Sequence, residues 1–587
     1  MKRRELIDVA LGKEPADLVV RGGRLVDVHT AEIYPGGVAV KGDRICAVGQ
    51  VDYAIGPKTE VLDAGGRHIT PGLIETHQHV AGSHLSMTEF VKAVMPHGTT
   101  AIATDFYEIA VVSGVRGVRF CLDELKRTPL KVLFVIPMPA LYQNDPFGHT
   151  GSLGLDDMKA MLQWPDCYGL NEAFAPRVLD KDPWMLELLG LTWDMGKVVV
   201  GHASEFRGER LQAWLAAVGD TNDHECVSAE EALEKARLGI RILLREGSAA
   251  ADVVRVSRAI TELKADPRRF AFCTDEEDPR RLVRVGHLDH KIRLAVDAGV
   301  DPVVAVQMAT INAAECYRVD RELGSLAPGK VADLLLVEDL KGFKVSHVVA
   351  NGRVVARDGR FVADLQPPSY PDFMYRTVRL ARPVRPEDFR IAAPPGAAQA
   401  RVRVIEAREG DLITSEGQAV LKAEGGWLEA DTGQDVLKIA VFERHHATGK
   451  VGRGFIRGFG LKRGAIASTF NPHNEDLVVL GVTDREMALA ANRTAELGGG
   501  FVVVEGDTVL AEFDLPQFGL LCPDPLDRAV AKLDAVYEAA KGLGCGLRGP
   551  FTSLGFMCLP VIIGNLKMCC EGLVNVWESR LVDPVLG

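Results

Sequence analysis

The sequence predicts an α/β protein: a (β/α)8, TIM-like barrel that carries a small composite β-sandwich domain and a C-terminal α/β domain. Three observations lead there. Apolar, β-branched runs alternate with helical patterns eight times across residues 67–322, about the size of a (β/α)8 barrel. Two Gly-punctuated stretches of alternating apolar and polar residues, 16–62 and 323–362, flank that insert. Histidines and acids sit just past several of the apolar runs, where the mouth of a barrel would be.

The chain of 587 residues is too long for one core, so two or three domains are expected. Its 47% hydrophobic and 25% charged residues are ordinary for globular proteins, which argues against extensive disorder. A formal charge of -12 leaves no basic excess to displace counterions from phosphates, which argues against a nucleic-acid partner. No run of about 18 apolar residues is present, so no membrane span is expected. The N-terminal MKRRELIDVALGKEPADLVV lacks a continuous apolar core and does not read as a secretion signal. The 11 cysteines are scattered without a C-x-x-C pair, which suits reduced thiols and a cytoplasmic location.

Residues 1–66 read as a short amphipathic helix followed by antiparallel strands (ADLVVRGGRLVDV, GGVAVKGDRICAVG), the first part of the composite domain. Within 67–322 the eight strands are HITPGLIETH, TTAIATDF, KVLFVIPMP, CYGLNEA, KVVVGHA, DHECVSA, IRILLREG and FAFCTDE. Helical patterns such as TEFVKAVMPHG, LDDMKAMLQW and AEEALEKARLG separate many of them. Residues 323–365 return to the composite domain, and the proline-rich 366–400 reads as a linker or an arm laid over the surface. From 401 to 587, strands such as DVLKIAVFER and FVVVEGDTVLAEF mix with helices such as LDRAVAKLDAVYEAAKGLG, as in a separate α/β domain.

The chemistry concentrates at the strand ends. Alternate residues on a strand share a face, so His77 and His79 of His77-Gln78-His79 can reach one metal ion while Gln78 points away. Glu172 in CYGLNEA, His202 after KVVVG, His224 ahead of ECVSA and Asp275 after FAFCT join them at one mouth if these runs are consecutive barrel strands. Mixed nitrogen and oxygen donors admit Zn²⁺, Mn²⁺ or Fe²⁺.

PGLIETHQH followed by MTEFVKAVMPHGTT resembles the start of the amidohydrolase superfamily, and the branch it most resembles is adenine deaminase. The resemblance continues through REGSAA, GHLDH, LGSLAPGKVADLLLV, RGFGLKRGAIAST, GGGFVVV and FMCLPVI, nearly the whole chain. It implies a metallohydrolase barrel with two divalent ions per subunit: His77 and His79 on the first, Glu172 shared, His202 and His224 on the second, and Asp275 as ligand and proton shuttle. It also implies a small heterocyclic substrate, hydrolytic deamination of adenine or a related amino-heterocycle, and a homo-oligomer, a dimer being favoured. Glu225, beside His224, is a candidate catalytic or orienting group.

Departures from the family's motifs fall near the expected pocket. The sequel of His-X-His is Val80-Ala81-Gly82-Ser83 without an acid, the family's Asp-Pro-His-Glu reads Asp105-Phe106-Tyr107-Glu108, and its Ser-His-Asp-Ser-His-Asn reads Asn471-Pro472-His473-Asn474-Glu475-Asp476. The loop PALYQND after the third strand also lacks an expected glutamate. Ser83, Asp105, Tyr107, Glu108 and His473 are therefore the candidate substrate contacts. Two other functions remain open at this point: hydrolysis of a cyclic amide or other amide on the same metal site, and a non-catalytic, metal-stabilised binding protein.

Overall fold

The computed structural model describes residues 3–138, 153–248, 250–408, 411–472, 474–559, 565–578 and 580–586, with backbone alone for 411–413. His473 and the PALYQND loop lie outside the described residues.

Eight parallel strands form the barrel: β1 Leu73–Glu75, β2 Thr99–Thr104, β3 Lys131–Ile136, β4 Cys167–Phe174, β5 Val198–His202, β6 Thr221–Asp223, β7 Arg241–Arg245 and β8 Phe270–Cys273. Neighbours pair in chain order from β1 to β8. The ring closes just beyond β1 and β8, where Gln78 and Asp275 form a parallel bridge, and the amides of Asp275 and His79 donate to the carbonyls of His77 (2.9 Å) and Asp275 (2.7 Å). Closure therefore falls on the His-X-His segment itself. Alternate residues point inward, and Ile74, Ala101, Ala103, Leu133, Val135, Val198, Val200, Leu243 and Ala271 pack there as one buried cluster. The sequence places the sixth strand at DHECVSA, but pairing ends at Asp223. There the carboxylate turns aside to accept the Ala203 amide (2.9 Å) and a bond from Lys235 (2.7 Å), and the chain leaves the sheet.

The run HITPGLIETH is divided. His68–Pro71 pairs antiparallel with Leu334–Val337 and in parallel with Leu18–Asp27, in a nine-stranded sheet drawn from both flanks of the barrel. Gly72 separates that sheet from β1, and a Cβ there would lie 2.3 Å from the Thr100 hydroxyl. The sheet curls over a common apolar core that includes Val20, Val40, Ile69, Leu336 and Val349. Helix Arg3–Ala10 covers a second cluster through Val9, against Val19 and Ala39.

Residues 366–400 run as an extended arm with short turns at Asp372–Met374 and Pro386–Phe389. Tyr370 donates to Glu124 (3.1 Å) of the barrel helix Tyr107–Leu125, and the Val384 amide donates to Asn492 (2.8 Å) of the C-terminal helix Asp484–Glu496. The C-terminal region builds a second nine-stranded sheet, packed by Asp484–Glu496 and Leu526–Gly542, and a three-stranded sheet. It docks on the barrel mouth by backbone pairing. The Cys522 amide donates to the His84 carbonyl (2.8 Å) and the Ser86 amide to the Cys522 carbonyl (3.0 Å). Among the described residues no helix is long and apolar enough to cross a membrane.

Candidate metal centre

The C-terminal strand ends bring His77, His79, Glu172, His202, His224 and Asp275 to one place. His77 Nε2 lies 3.4 Å from Glu172 Oε1 and 3.7 Å from Asp275 Oδ1, and His79 Nε2 lies 3.2 and 3.4 Å from the same two atoms. His202 Nδ1 is 3.5 Å from Glu172 Oε2. The His77 and His224 rings stack at 4.0 Å, and His202 meets His224 edge-on at 5.3 Å. Glu172 (φ 42°) and Asp275 (φ 66°) both hold left-handed backbone, a costly state for residues with a Cβ. Such outliers cluster where a structure must aim a side chain, as it does here for both central carboxylates.

Donor atoms fall into overlapping groups, each within 4.8 Å: His77, His79 and Asp275; His77, Glu172 and His224; His202, His224 and Glu225. His77 Nε2, His202 Nδ1 and His224 Nδ1 are buried and make no hydrogen bond. Buried polar atoms are normally satisfied, so orphaned imidazole nitrogens converging on carboxylates fit a divalent cation, and N/O donors suit Zn²⁺, Mn²⁺ or Fe²⁺. A further group, Asp223, Cys226 and Glu231, differs because the Lys235 ammonium already occupies its centre, 2.7 Å from both Asp223 and Glu231.

Electrostatics follow from burial and pairing. Burial raises Asp275, but the nearby His77 and the Arg245 charge win, holding its carboxyl well below the usual range. Burial likewise raises Glu172 and is overcome by the imidazoles of His77 and His79 beside it. His77 is pushed up to about 9, because those two carboxylates outweigh its desolvation. His224, desolvated and beside His77, falls to about 3.

The remaining sequence candidates take distinct places. Asp105 stands behind His79: Oδ1 is 3.1 Å from His79 Nδ1, and Oδ2 accepts from Asn171 (2.7 Å). Both oxygens are used by protein groups, an arrangement that orients a ligating imidazole rather than one that faces a substrate. Ser83 spends its hydroxyl inside its own turn, on the Val80 carbonyl (2.7 Å), and is fully buried. Tyr107 packs edge-on to His79 at 4.7 Å. Glu108 is buried with neither carboxylate oxygen hydrogen-bonded, and burial pushes it up to about 8. Glu225 lies 3.3 Å from His224 Nε2 and is paired with Arg245 and Ser204.

Three further residues stand at the mouth without being among the site candidates of the sequence, although Glu475 lies in one of its altered motifs. Arg245, at the end of β7, joins Glu225 to Asp275 (3.2 Å) and is the buried cation among the mouth's carboxylates. The strand-end rule that singles out the acids and histidines applies to it equally. Glu276 follows Asp275 and lies over Gly82, whose added Cβ would sit 3.2 Å from its side chain. Glu475 comes from the C-terminal domain; it is fully buried, its Oε1 is unbonded, and burial with the nearby Glu108 charge raises it far above the usual range.

Known proteins match both halves of this geometry. Residues 68–355 match the amidohydrolase family and 411–580 match the adenine deaminase C-terminal domain. An adenine deaminase of Moorella thermoacetica is 40% identical, over 100% of this chain and 98% of that protein. The chain belongs to the adenine deaminase family. Further adenine deaminases agree: one from Clostridium botulinum (strain Langeland) is 39% identical over 99% of this chain and 97% of its own, and one from Mesorhizobium japonicum is 39% identical over 98% and 96%. The mouth of this adenine deaminase family member is built by both matched parts of the chain, the amidohydrolase barrel and the C-terminal domain that supplies Glu475. The amidohydrolase assignment carries divalent-metal use with it, in keeping with the orphaned donors.

Proposed function

We propose that the protein is a metal-dependent deaminase of adenine, converting adenine and water to hypoxanthine and ammonia. The observation that carries this reading is full-length similarity to adenine deaminases, with the barrel and the C-terminal region both matched. We assign two divalent ions to the overlapping donor groups, His77, His79 and Asp275 to one and His202 and His224 to the other, with Glu172 between them. Bound there, the ions supply positive charge that acidifies a water and polarises the ring carbon to be attacked.

The chain's own residues do the rest. Asp275 takes the proton from the attacking water at Oδ1 and gives it to the exocyclic nitrogen, which leaves as ammonia once the C6–N bond breaks. Arg245 holds Oδ2 (3.2 Å), so Oδ1 stays aimed between His77 and His79. Asp105 fixes the tautomer and angle of His79 through Nδ1. Glu108, Glu276 and Glu475 are buried acids near Tyr107, and we assign them to the polar edge of the purine, where a neutral carboxyl both donates and accepts. Eleven cysteines, all free and buried, support a reducing, cytoplasmic setting.

The test is ammonia release from adenine by purified, metal-loaded protein. Release with hypoxanthine as co-product is expected. A ring-opened product without ammonia would move the activity to amide hydrolysis, and no turnover of adenine or other aminopurines would end the deaminase reading.

A further inference from the structure

A cavity of about 280 Å³ opens between the barrel and the C-terminal domain, and none of the metal-centre residues lines it. One wall is the helix Tyr107–Leu125 at its break: Gly114 (φ 59°, ψ -156°) interrupts the helix, so residues 115–125 begin a new helical segment with Ser113 and Arg116 at the cavity. The other wall carries Arg379 of the arm and His446. No Asp or Glu lines the cavity, in a chain with 80 acids against 68 Lys and Arg.

Arg116 and Arg379 are both exposed, and among the described residues neither guanidinium is paired with a carboxylate. Arg116 instead sits over Phe373, its Cζ 3.8 Å from the ring centroid, and both residues line the cavity. Two uncommitted guanidiniums beside the start of a helical segment suit a phosphate group, which accepts bidentate hydrogen bonds and favours the positive helix end. Phosphate alone would leave much of the volume empty, and the rest of the lining, Val111 and Phe373 included, offers apolar surface to an attached body.

We propose that this cavity is a binding site for a phosphate-bearing small molecule with an apolar or aromatic body, separate from the metal centre. The site is independent of the deaminase reading and stands or falls by its own measurement.

The experiment is calorimetric titration of the metal-loaded full chain with phenyl phosphate, with inorganic phosphate and phenol as comparisons and saturating hypoxanthine, the unreactive product, present to keep the probe from the metal centre. Saturable binding at one site is expected, tighter than for inorganic phosphate and absent for phenol. Arg116→Ala and Arg379→Ala should each weaken it by about tenfold or more, the worth of one charge-assisted hydrogen bond, with adenine turnover unchanged. Both residues are exposed, so the variants should fold, and Arg379→Lys, which keeps the charge, should weaken binding less than Arg379→Ala. No saturable binding at millimolar phenyl phosphate, or equal affinity in the Arg116→Ala/Arg379→Ala double variant, overturns the proposal.

Discussion

Two sets of buried charge lie on either side of the mouth histidines, and they are built on opposite terms. Behind β5 and β6, Lys235 is fully buried and bonds Asp223, Glu231 and the Ala203 carbonyl at 2.7–2.8 Å, while Asp223 also accepts the Ala203 amide. In front, Glu108, Glu276 and Glu475 are as deeply buried, yet both oxygens of Glu108 and one of Glu475 have no partner. A closed ion group costs desolvation that only good geometry repays, so it belongs to scaffolding; an open one is tolerated where a ligand will complete it. The rear group ties together the strand ends carrying His202 and His224, and the front group is the one proposed above to meet the purine.

The largest expected effect tests whether chemistry sits between the two groups. Asp275→Asn keeps the side chain's shape but removes its capacity to carry a proton, and ammonia release should fall by about 10³-fold, within the range for a positioned acid–base group. Metal content measured in the same sample should stay near the wild-type level if His77, His79 and Glu172 suffice to hold the ions. Wild-type turnover in this variant would show that the proton travels by another route.

Next comes the rear group. Lys235→Met leaves Asp223 and Glu231 buried without their cation, a loss of about 3–5 kcal/mol in stability, read by denaturant unfolding. If Lys235 also positions β5 and β6, metal affinity should drop by about 10- to 100-fold even where the variant remains folded, as for other residues that orient ligands. Lowered stability with unchanged metal affinity would reduce the group to packing alone.

How much of this arrangement was legible depends on how local its cause is. The strands carrying the six donors could be read because apolar, β-branched runs and the period of two are written within a few residues. The division of HITPGLIETH at Gly72 could not be, since it follows from contact with Thr100 and from strands more than 250 residues later. Ser83 and Asp105 looked substrate-facing because they stand beside the donors, and only the competition among hydrogen-bond partners turned them to Val80 and His79. Glu475 replaces a residue of a recognisable motif, but its burial near Glu108 depends on domain docking, which no local pattern records.

That docking has a titratable residue at its seam. His84 is buried against the rings of Phe470 and Phe501 (4.7 and 5.0 Å), and desolvation lowers it from 6.5 to about 4. Its neutral form is the one that fits. The stability it permits is complete above pH 6.5 and is lost as pH falls toward 4, by about 3 kcal/mol at about 1.36 kcal/mol per pH unit. His84→Asn, which tolerates the left-handed backbone at φ 57°, should flatten the dependence of melting temperature on pH over that window. An unchanged acid slope would place the sensitive group elsewhere.

The smallest effect separates front from rear most directly. Burial and the charge of Glu108 raise Glu475, so the folded state prefers it protonated, and its penalty grows as pH rises above the ordinary carboxylate value of 4.5. Glu475→Gln keeps an acceptor for the Asn471 amide, which Oε2 now takes at 3.1 Å, and removes the charge. The variant should match wild type at pH 4 and exceed it at pH 8, because only the wild type carries a carboxyl that must ionise against burial. Charge removal in the rear group has the opposite sign, because every carboxylate there already has its cation. A front-group variant that gains stability while KM for adenine rises would identify Glu475 as a group held at a structural cost for the substrate, and a loss of stability at pH 8 would mean that the front carboxylates are paired in solution after all.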